Sequence, residues 1–285
     1  MDSTFLTICV CLALVGIVIR LALPRVLAWR GVWFTWHTRF GPALVFDAAD
    51  EDGTTVRLLN VRGTYQSVCY VDDDLLWIPV CAYHRSWAKA VREVFGLGKD
   101  GRPGSRRALV MGGGGYSFPK WLVAYRPDFA CETVEIDPKI TAIAREQFFL
   151  ARLEDEFRTR ETGRLVVAND DAWGYLAQDT NGYDLIVNDA FSGNRPLGPM
   201  GTEEGARLVH DHLHAGGMYI GNVRTPLEGR GSQLLAQTEQ AFRQVFSHVR
   251  IIPERPEEPR KRGNNALIAW DEDPARGADD GNAHD

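Results

Sequence analysis

The second half of the chain alternates short apolar runs with amphipathic segments, a pattern typical of a parallel sheet covered by helices. The predicted strands are Ala108–Met111, Cys131–Ile136, Leu165–Ala168, Tyr183–Asn188, Met218–Val223, Val249–Ile252 and Ala266–Trp270. The predicted helices are Tyr116–Tyr125, Lys139–Phe149, Glu203–His214, which is stopped by Gly216 and Gly217, and Ser232–Phe246. We therefore predict an α/β fold, a Rossmann-like doubly wound and mostly parallel sheet, over residues 99–271.

A smaller β-rich region precedes this sheet, over residues 31–98. Its predicted strands are Leu44–Phe46, Thr54–Val61, Gln66–Tyr70 and Leu75–Pro79, and Asp- and Gly-containing turns separate them. The amphipathic segment His84–Phe95 is predicted to be the helix that links the two regions. The sequence thus predicts a small antiparallel β layer in front of the larger sheet.

The N-terminal segment, residues 1–30, is the most apolar part of the chain. Phe5–Ile19 carries no charge, Arg20 follows, and apolar residues continue to Pro24. This length is at the lower edge for a membrane-spanning helix. Because the arginines follow the apolar run, we predict a single-pass, uncleaved cell-membrane anchor with the following domain in the cytoplasm. The alternative is a hydrophobic helix packed on the protein or a partner, in a cytoplasmic protein. Trp29–His37 fits an interfacial aromatic belt or an aromatic core cluster.

Composition excludes several classes of function. The formal net charge of −6 argues against a nucleic-acid partner. Five scattered cysteines lack the paired spacing of a metal site, and the His210–His214 segment is better explained by a helix end, so we expect no metal. Residues 272–285 are acidic and rich in Gly and Ala, and we predict a disordered tail.

A glycine run follows the first strand of the predicted sheet. Gly112, Gly113, Gly114 and Gly115 lack Cβ atoms, so the backbone can turn sharply and a ligand can lie directly on its amides. The next strand ends in Glu135-Ile136-Asp137-Pro138, and its acid lies about twenty residues beyond the glycines, where a ribose-binding carboxylate is expected. These features together predict a nucleotide-binding site.

Acidic side chains follow three successive strands, at the sheet edge where ligands bind in doubly wound folds. Glu135 could accept hydrogen bonds from both ribose hydroxyls. Asp171, or its neighbour Asp170, could accept one from the exocyclic amine of an adenine. Asp189 follows the Tyr183–Asn188 strand, where an acceptor group would meet the reactive carbon of the ligand.

The motifs GGGGY, VEIDP, NDDA and YDLIVNDAF together resemble the spermidine synthase (polyamine aminopropyltransferase) family, within the class I AdoMet-dependent methyltransferase-like fold. The resemblance runs from about Val56 to Trp270. It implies that the cofactor is decarboxylated S-adenosylmethionine or S-adenosylmethionine, contacted by Gln66, Gly112, Gly113, Gly114, Gly115, Glu135, Asp137, Asp170 and Asp171. It also implies that Tyr83, His84 and Ser192 face a small-molecule amine acceptor and that Asp189 takes the amine proton. A homo-oligomer is a further expectation from the family.

The sequence departs from the family pattern at two positions. The glycine loop of the family carries an Asp where this chain has Gly115, and the second acid of its DSSDP motif is absent after Asp189. Two alternatives to aminopropyl transfer therefore stay open. One is an AdoMet-dependent methyltransferase acting on another nucleophile, and the other is a non-catalytic nucleoside-binding homologue.

Overall fold

The computed structural model describes residues 3–98, 102–192, 195–196, 198–199 and 201–272. It begins with a long helix, α1 (Ser3–Trp29), followed by a four-stranded antiparallel sheet in the order β1-β2-β3-β4. The strands of this front sheet are β1 (Trp33–Thr38), β2 (Gly41–Ala49), β3 (Thr55–Val61) and β4 (Thr64–Tyr70). Helix α2 (Ala82–Phe95) then leads to the second sheet.

The second sheet has seven strands in the order β12-β13-β11-β8-β5-β6-β7. Its strands are β5 (Arg106–Met111), β6 (Phe129–Val134), β7 (Leu165–Ala168), β8 (Tyr183–Asn188), β11 (Leu213–Thr225), β12 (His248–Ile252) and β13 (Gly263–Trp270), and a two-residue hairpin, β9 (Phe191–Ser192) and β10 (Arg195–Pro196), lies beside it. Strands β7, β6, β5, β8 and β11 pair in parallel, and β13 pairs antiparallel with β11 and β12. The prediction of a mostly parallel sheet preceded by an antiparallel layer is confirmed.

Helices cover both faces of this sheet. They are α3 (Ser117–Tyr125), α4 (Pro138–Gln147), α5 (Leu150–Glu156), α6 (Thr159–Thr162), α7 (Ala172–Gln178), α8 (Glu203–Asp211) and α9 (Gln233–Arg243). Successive residues of β5 supply opposite faces: Ala108 and Val110 belong to one hydrophobic core, and Leu109 and Met111 to the other. The front sheet packs on the first core through buried residues such as Leu59. The continuous apolar run in β5 is explained by this two-sided burial.

The structure corrects several predicted elements. The segment Leu75–Pro79 is a turn rather than a strand; it is apolar because Leu76 is buried and Trp77 packs on Phe157. Helix α8 ends at Asp211, and Gly216 and Gly217 lie within β11 at a register shift instead of stopping a helix. Helices α5, α6 and α7 and strand β1 were not predicted.

Helix α1 continues through Pro24 to Trp29, beyond the predicted end of the apolar segment. Proline has no N–H, so the carbonyl of Arg20, four residues earlier, loses its partner within the helix. The indole Nε1 of Trp36 in β1 donates a hydrogen bond of 3.3 Å to this carbonyl, and Arg20 Nη2 lies 3.0 Å from His37 Nε2. The second half of α1 is therefore attached to the front sheet at the point where its own hydrogen bonding is interrupted.

One helix of the described part of the chain is long and apolar enough to cross a membrane, and the window that meets this criterion is Cys11–Trp29. None of that window is buried inside the protein, and Leu12 and Val18 are 67% and 62% exposed. A signal sequence or a helix covered by another protein would have the same composition.

Candidate active site

A cavity that is partly open to solvent lies at the carboxyl ends of β5, β6 and β8. The chain leaves β5 toward β6 on one side, whereas β8 lies on the other side of β5. This reversal of strand order separates the connecting loops and leaves a crevice between them, where ligands bind in folds of this kind. The loops that follow the three strands, together with Gln66 and Ser67 of β4 and His84 and Trp87 of α2, line the cavity.

The glycine loop after β5 requires glycine where it meets the loop after β8. Gly112 has a φ of 99°, and a Cβ atom there would lie 2.6 Å from the carbonyl oxygen of Asp189. Gly112, Gly113 and Gly114 line the cavity, but Gly115 does not. A Cβ atom at Gly115 would lie 2.5 Å from Ser67 Oγ, so the side chain of the front sheet occupies the space that an aspartate would need.

Glu135 is 7% exposed and lies beside the glycine loop at the end of β6. Its Oε2 accepts hydrogen bonds from the amides of Gly113 (2.9 Å) and Gly114 (3.0 Å), and its Oε1 accepts one from the Asp137 amide (3.0 Å). A carboxylate has about four lone-pair sites, so one site on Oε1 stays open for a ligand hydroxyl. Burial raises the pKa of Glu135, and the three amide donors oppose that rise.

Two of the residues predicted to bind the cofactor, Asp137 and Asp170, do not line the cavity and accept backbone amides instead. Asp137 accepts the Lys139 amide as the N-cap of α4 (2.9 Å), and its other oxygen accepts the Arg39 amide from the β1–β2 turn (2.5 Å). Asp170 accepts the amide of Asp171 (2.7 Å) and does not line the cavity. Asp171 does line it, and only its Oδ1 is engaged among the described residues, by the Gly174 amide at the start of α7 (2.7 Å).

Asp189 follows β8 and contacts groups from two other elements. Its Oδ1 accepts a hydrogen bond of 2.8 Å from Asn222 Nδ2 in β11. Its Oδ2 lies 3.4 Å from Tyr83 Oη and 3.3 Å from His84 Nε2, both at the start of α2. Burial, and then the charge of Asp189, raise the pKa of Tyr83, so this hydroxyl stays protonated and can donate to the carboxylate. The carboxylate is thus fixed from two sides and is still 22% exposed.

The lining of the cavity is acidic. Glu135, Asp171 and Asp189 are the acidic residues among the described lining residues, and none of those is a lysine or an arginine. Much of the remaining wall is aromatic and consists of Phe40, His84, Trp87, Phe118, Trp173 and Phe191. A cationic ligand with an apolar body matches this lining better than an anionic one.

The structure therefore brings together most of the predicted site. Gln66, Gly112, Gly113, Gly114, Glu135, Asp171, His84 and Asp189 line one cavity, and Tyr83 touches it through Asp189. The side chain of Ser192 lies outside the described part of the chain. Asn222 was missed by the sequence reasoning, although an amide within the apolar run Met218–Val223 was a usable signal, because buried polar groups need partners. Among the described residues no group of three His, Cys, Asp or Glu side chains could hold a metal ion.

Comparisons with curated proteins point to one enzyme class, although no family model matches the chain. A probable polyamine aminopropyl transferase of Bifidobacterium longum is 30% identical over 125 residues, which are 44% of this chain and 26% of the relative. The polyamine aminopropyltransferase of Moorella thermoacetica is 27% identical over 154 residues, 52% of this chain and 50% of the relative. The chain is similar in sequence to these polyamine aminopropyltransferases. It spans half or less of the length of these two relatives, which are transferases.

Solved structures confirm the fold of this aminopropyltransferase-like chain. A probable spermidine synthase from Corynebacterium glutamicum superposes with a TM-score of 0.64 at 22% identity, covering 83% of this chain and 79% of that one. A spermidine synthase in complex with the transition-state analogue AdoDATO gives 0.58 at 16% identity, covering 83% and 72%. Human methyltransferase-like protein 13 in complex with SAH gives 0.51 at 19% identity, covering 68% and 83%. The fold is methyltransferase-like, and AdoMet-related ligands are bound by two of these neighbours.

Proposed function

We propose that the chain transfers an aminopropyl group from decarboxylated S-adenosylmethionine to an amine, with Asp189 as the base. The observation that carries the proposal is the position of Asp189. It lies in the same cavity as the glycine loop and Glu135, and it is held by Tyr83, His84 and Asn222. The similarity to polyamine aminopropyltransferases supports the same chemistry.

The residues of the cavity fit a nucleoside donor. Glu135 has a lone-pair site for a ribose hydroxyl, and Asp171 has an unengaged oxygen for the adenine amine. In the reaction the lone pair of the amine forms a bond to the carbon next to the sulfonium. The carbon–sulfur bond breaks, its electrons neutralise the sulfur, and methylthioadenosine leaves. An amine is mostly protonated at neutral pH, and Asp189 takes the proton whose removal makes it a nucleophile.

The charge of the cavity favours the decarboxylated donor over AdoMet. AdoMet carries a carboxylate, and the described lining residues offer three acids and no lysine or arginine to pair with it. Burying a carboxylate beside like charges is unfavourable. We therefore expect the full chain in detergent to bind decarboxylated AdoMet at least about tenfold more tightly than AdoMet, a difference of about 1.4 kcal/mol.

Calorimetric titration with decarboxylated AdoMet, AdoMet and methylthioadenosine measures this preference directly. Tighter binding of AdoMet would contradict aminopropyl transfer and move the chain to the methyltransferases. Binding of all three nucleosides without turnover of any amine would instead identify a non-catalytic homologue.

We also propose that α1 anchors the protein in the cell membrane and leaves the catalytic domain in the cytoplasm. Because Arg20 and the helix carbonyl at its position contact β1, the part left free to enter lipid is Ser3–Ile19. At 1.5 Å per residue these residues span about 25 Å, slightly less than a typical hydrocarbon core. The exposed apolar side chains along this part of α1 support the assignment.

The full chain is therefore expected to stay with membranes through an alkaline wash and to be released by detergent. The double substitution Leu12→Asp, Val15→Asp is expected to move it to the soluble fraction, because each charge in a bilayer opposes insertion by about 3 kcal/mol. Tyr65→Asp, at a similarly exposed side chain of the front sheet, is the matched control. Retention of the double variant on membranes would overturn the anchor.

A further inference from the structure

The front sheet carries charges of opposite sign at its two ends. Its strands follow one another as an antiparallel meander, so the β1–β2 and β3–β4 turns lie at one end and the β2–β3 turn lies at the other. The two turns of the first end, which we call the basic end, contain the exposed residues Arg39 and Arg62. The other end has the acidic turn Asp50–Asp52 and the acidic run Asp72–Asp74, which follows β4. An anionic partner is therefore attracted to the basic end and repelled from the opposite one.

The basic end is also the end that lies beside the apolar half of α1. After α1 ends at Trp29 the chain reverses, and β1 runs back along the helix until Trp36 and His37 contact Arg20. The β1–β2 turn that follows is thus level with Arg20, directly after the segment Ser3–Ile19 that we propose to enter lipid.

Arg62 joins Arg39 at this end, although it is far from Arg39 in sequence. The Arg62 amide donates a hydrogen bond of 2.9 Å to the carbonyl of Pro42. The Arg62 side chain passes Gly41, where a Cβ atom would lie 3.5 Å from Arg62 Cδ. Because Gly41 closes the turn that contains Arg39, the two arginines lie on neighbouring turns of one surface.

The arginines of this surface are not paired with acids. From Ser3 to Phe46 the chain has four arginines and no Asp or Glu. Within the described part of the chain, none of Arg20, Arg39 and Arg62 forms an ion pair with an acid. Asp137 contacts the β1–β2 turn, but it is only 3% exposed and both of its oxygens accept backbone amides. The guanidinium groups are therefore available to an external anion.

We propose that Arg39 and Arg62, together with Arg20, bind the phosphate groups of anionic lipids at the bilayer surface where α1 emerges. This inference rests on the proposed membrane anchor and goes beyond it, because it names the kind of lipid and the residues that recognise it. Guanidinium groups form charge-assisted hydrogen bonds to phosphate, and the cytoplasmic face of a membrane carries anionic lipids. Phe40, next to Arg39, lines the cavity, so the same contact holds this wall of the cavity near the bilayer.

Fluorescence anisotropy of a labelled lipid tests the contact on the full chain in nonionic detergent. The wild-type chain is expected to bind phosphatidylglycerol at least about twentyfold more tightly than phosphatidylcholine, since each arginine at an anionic surface contributes about fivefold in affinity. In the double variant Arg39→Gln, Arg62→Gln this preference is expected to fall to about fivefold or less. The matched control Arg230→Gln, Arg260→Gln removes two exposed arginines from the loops after β11 and β12 and is expected to keep the wild-type preference. An unchanged preference in the Arg39→Gln, Arg62→Gln variant would overturn the inference.

Ionic strength provides a second test that does not depend on the folding of a variant. Raising sodium chloride from about 0.1 M to about 1 M shortens the range of electrostatic attraction from about 10 Å to about 3 Å. The wild-type preference for phosphatidylglycerol is therefore expected to fall toward that of the double variant, and a preference that salt does not change would contradict the proposal. Displacement of the labelled lipid by sodium phosphate, but not by sodium chloride of the same ionic strength, would assign the arginines to free phosphate and overturn the lipid contact.

The alkaline wash separates a failure of this inference from a failure of the anchor. If the wild-type chain leaves membranes in the wash, the anchor is wrong, and a phosphatidylglycerol preference that is lost in the double variant would keep the lipid contact as a peripheral one. If the chain stays on membranes but shows no preference for phosphatidylglycerol, the anchor stands and the lipid contact is overturned.

Discussion

Asp189→Asn is expected to lower kcat for aminopropyl transfer by about a hundred- to ten-thousand-fold while nucleoside affinity stays within a few-fold of the wild-type value. The asparagine keeps the shape of the side chain but cannot take a proton from the attacking amine. The nucleoside contacts that we propose come from the glycine loop, Glu135 and Asp171, none of which hydrogen-bonds to the Asp189 carboxylate. Single-turnover rates and a calorimetric dissociation constant, measured on the same preparation, separate the two effects.

The Asp189→Asn substitution also changes the hydrogen bonds around position 189. Asn222 Nδ2 donates to one carboxylate oxygen, and Tyr83 donates to the other. The side-chain NH2 group of an asparagine at position 189 would face one of these two donors, leaving both without an acceptor. A modest loss of folding stability is therefore expected as well. Asp155→Asn, at an exposed carboxylate on α5, is the matched control. A rate close to that of the wild type would remove Asp189 from the mechanism.

Much of the fold and half of the site could be predicted because the relevant signals are local. Strand β8 is predicted to the residue, since a strand buried on both faces is a continuous apolar run with polar residues at its ends. Strand β7, at the edge of the sheet, is also predicted to the residue as a short apolar run, although Val166 is 47% exposed. The residues just after parallel strands meet at one edge of the sheet, so the sequence was enough to assign Glu135, Asp171 and Asp189 to one site.

The partners of these residues could not be predicted in the same way. Asn222, the partner of Asp189, comes from the last third of the chain, and the parallel register of β11 with β8 brings the two side chains together. Asp137 has the same local signal as Glu135, but its carboxylate caps α4 and holds the β1–β2 turn. Local sequence indicates where a carboxylate lies along the chain, whereas its role depends on which donors the tertiary fold supplies.

Long-range contacts also explain why helix α1 continues past Pro24. A proline within a helix normally marks its end, because it removes a backbone donor and clashes with the preceding turn. In α1 the lost donor is replaced by the indole of Trp36, which is twelve residues further along the chain, in β1. The aromatic segment Trp29–His37 therefore includes strand β1, whose Trp36 hydrogen-bonds to α1, a contact that local sequence does not indicate.

Glu135→Gln is expected to weaken nucleoside binding by about ten- to a hundred-fold, the effect of one charge-assisted hydrogen bond. The structure gives two reasons for weaker nucleoside binding by this variant. A glutamine accepts a ribose hydroxyl less strongly than a carboxylate, and its amide group must also turn a donor toward the amides of Gly113 and Gly114 or toward that of Asp137. Glu146→Gln, at an exposed position of α4, is the matched control, and calorimetric titration with methylthioadenosine is the measurement.

The pH dependence of binding distinguishes the loss of the ribose contact from distortion of the glycine loop. Burial raises the pKa of Glu135, so this side chain becomes protonated at a higher pH than an exposed glutamate does. A protonated side chain has fewer lone pairs for the ribose, and wild-type affinity is therefore expected to fall as the pH is lowered through that raised pKa. Because glutamine does not titrate, this decrease in affinity at low pH is expected to be absent in Glu135→Gln. If the variant kept the wild-type pH profile and was only displaced to weaker affinity, Glu135 would act by shaping the loop and not by holding the ribose.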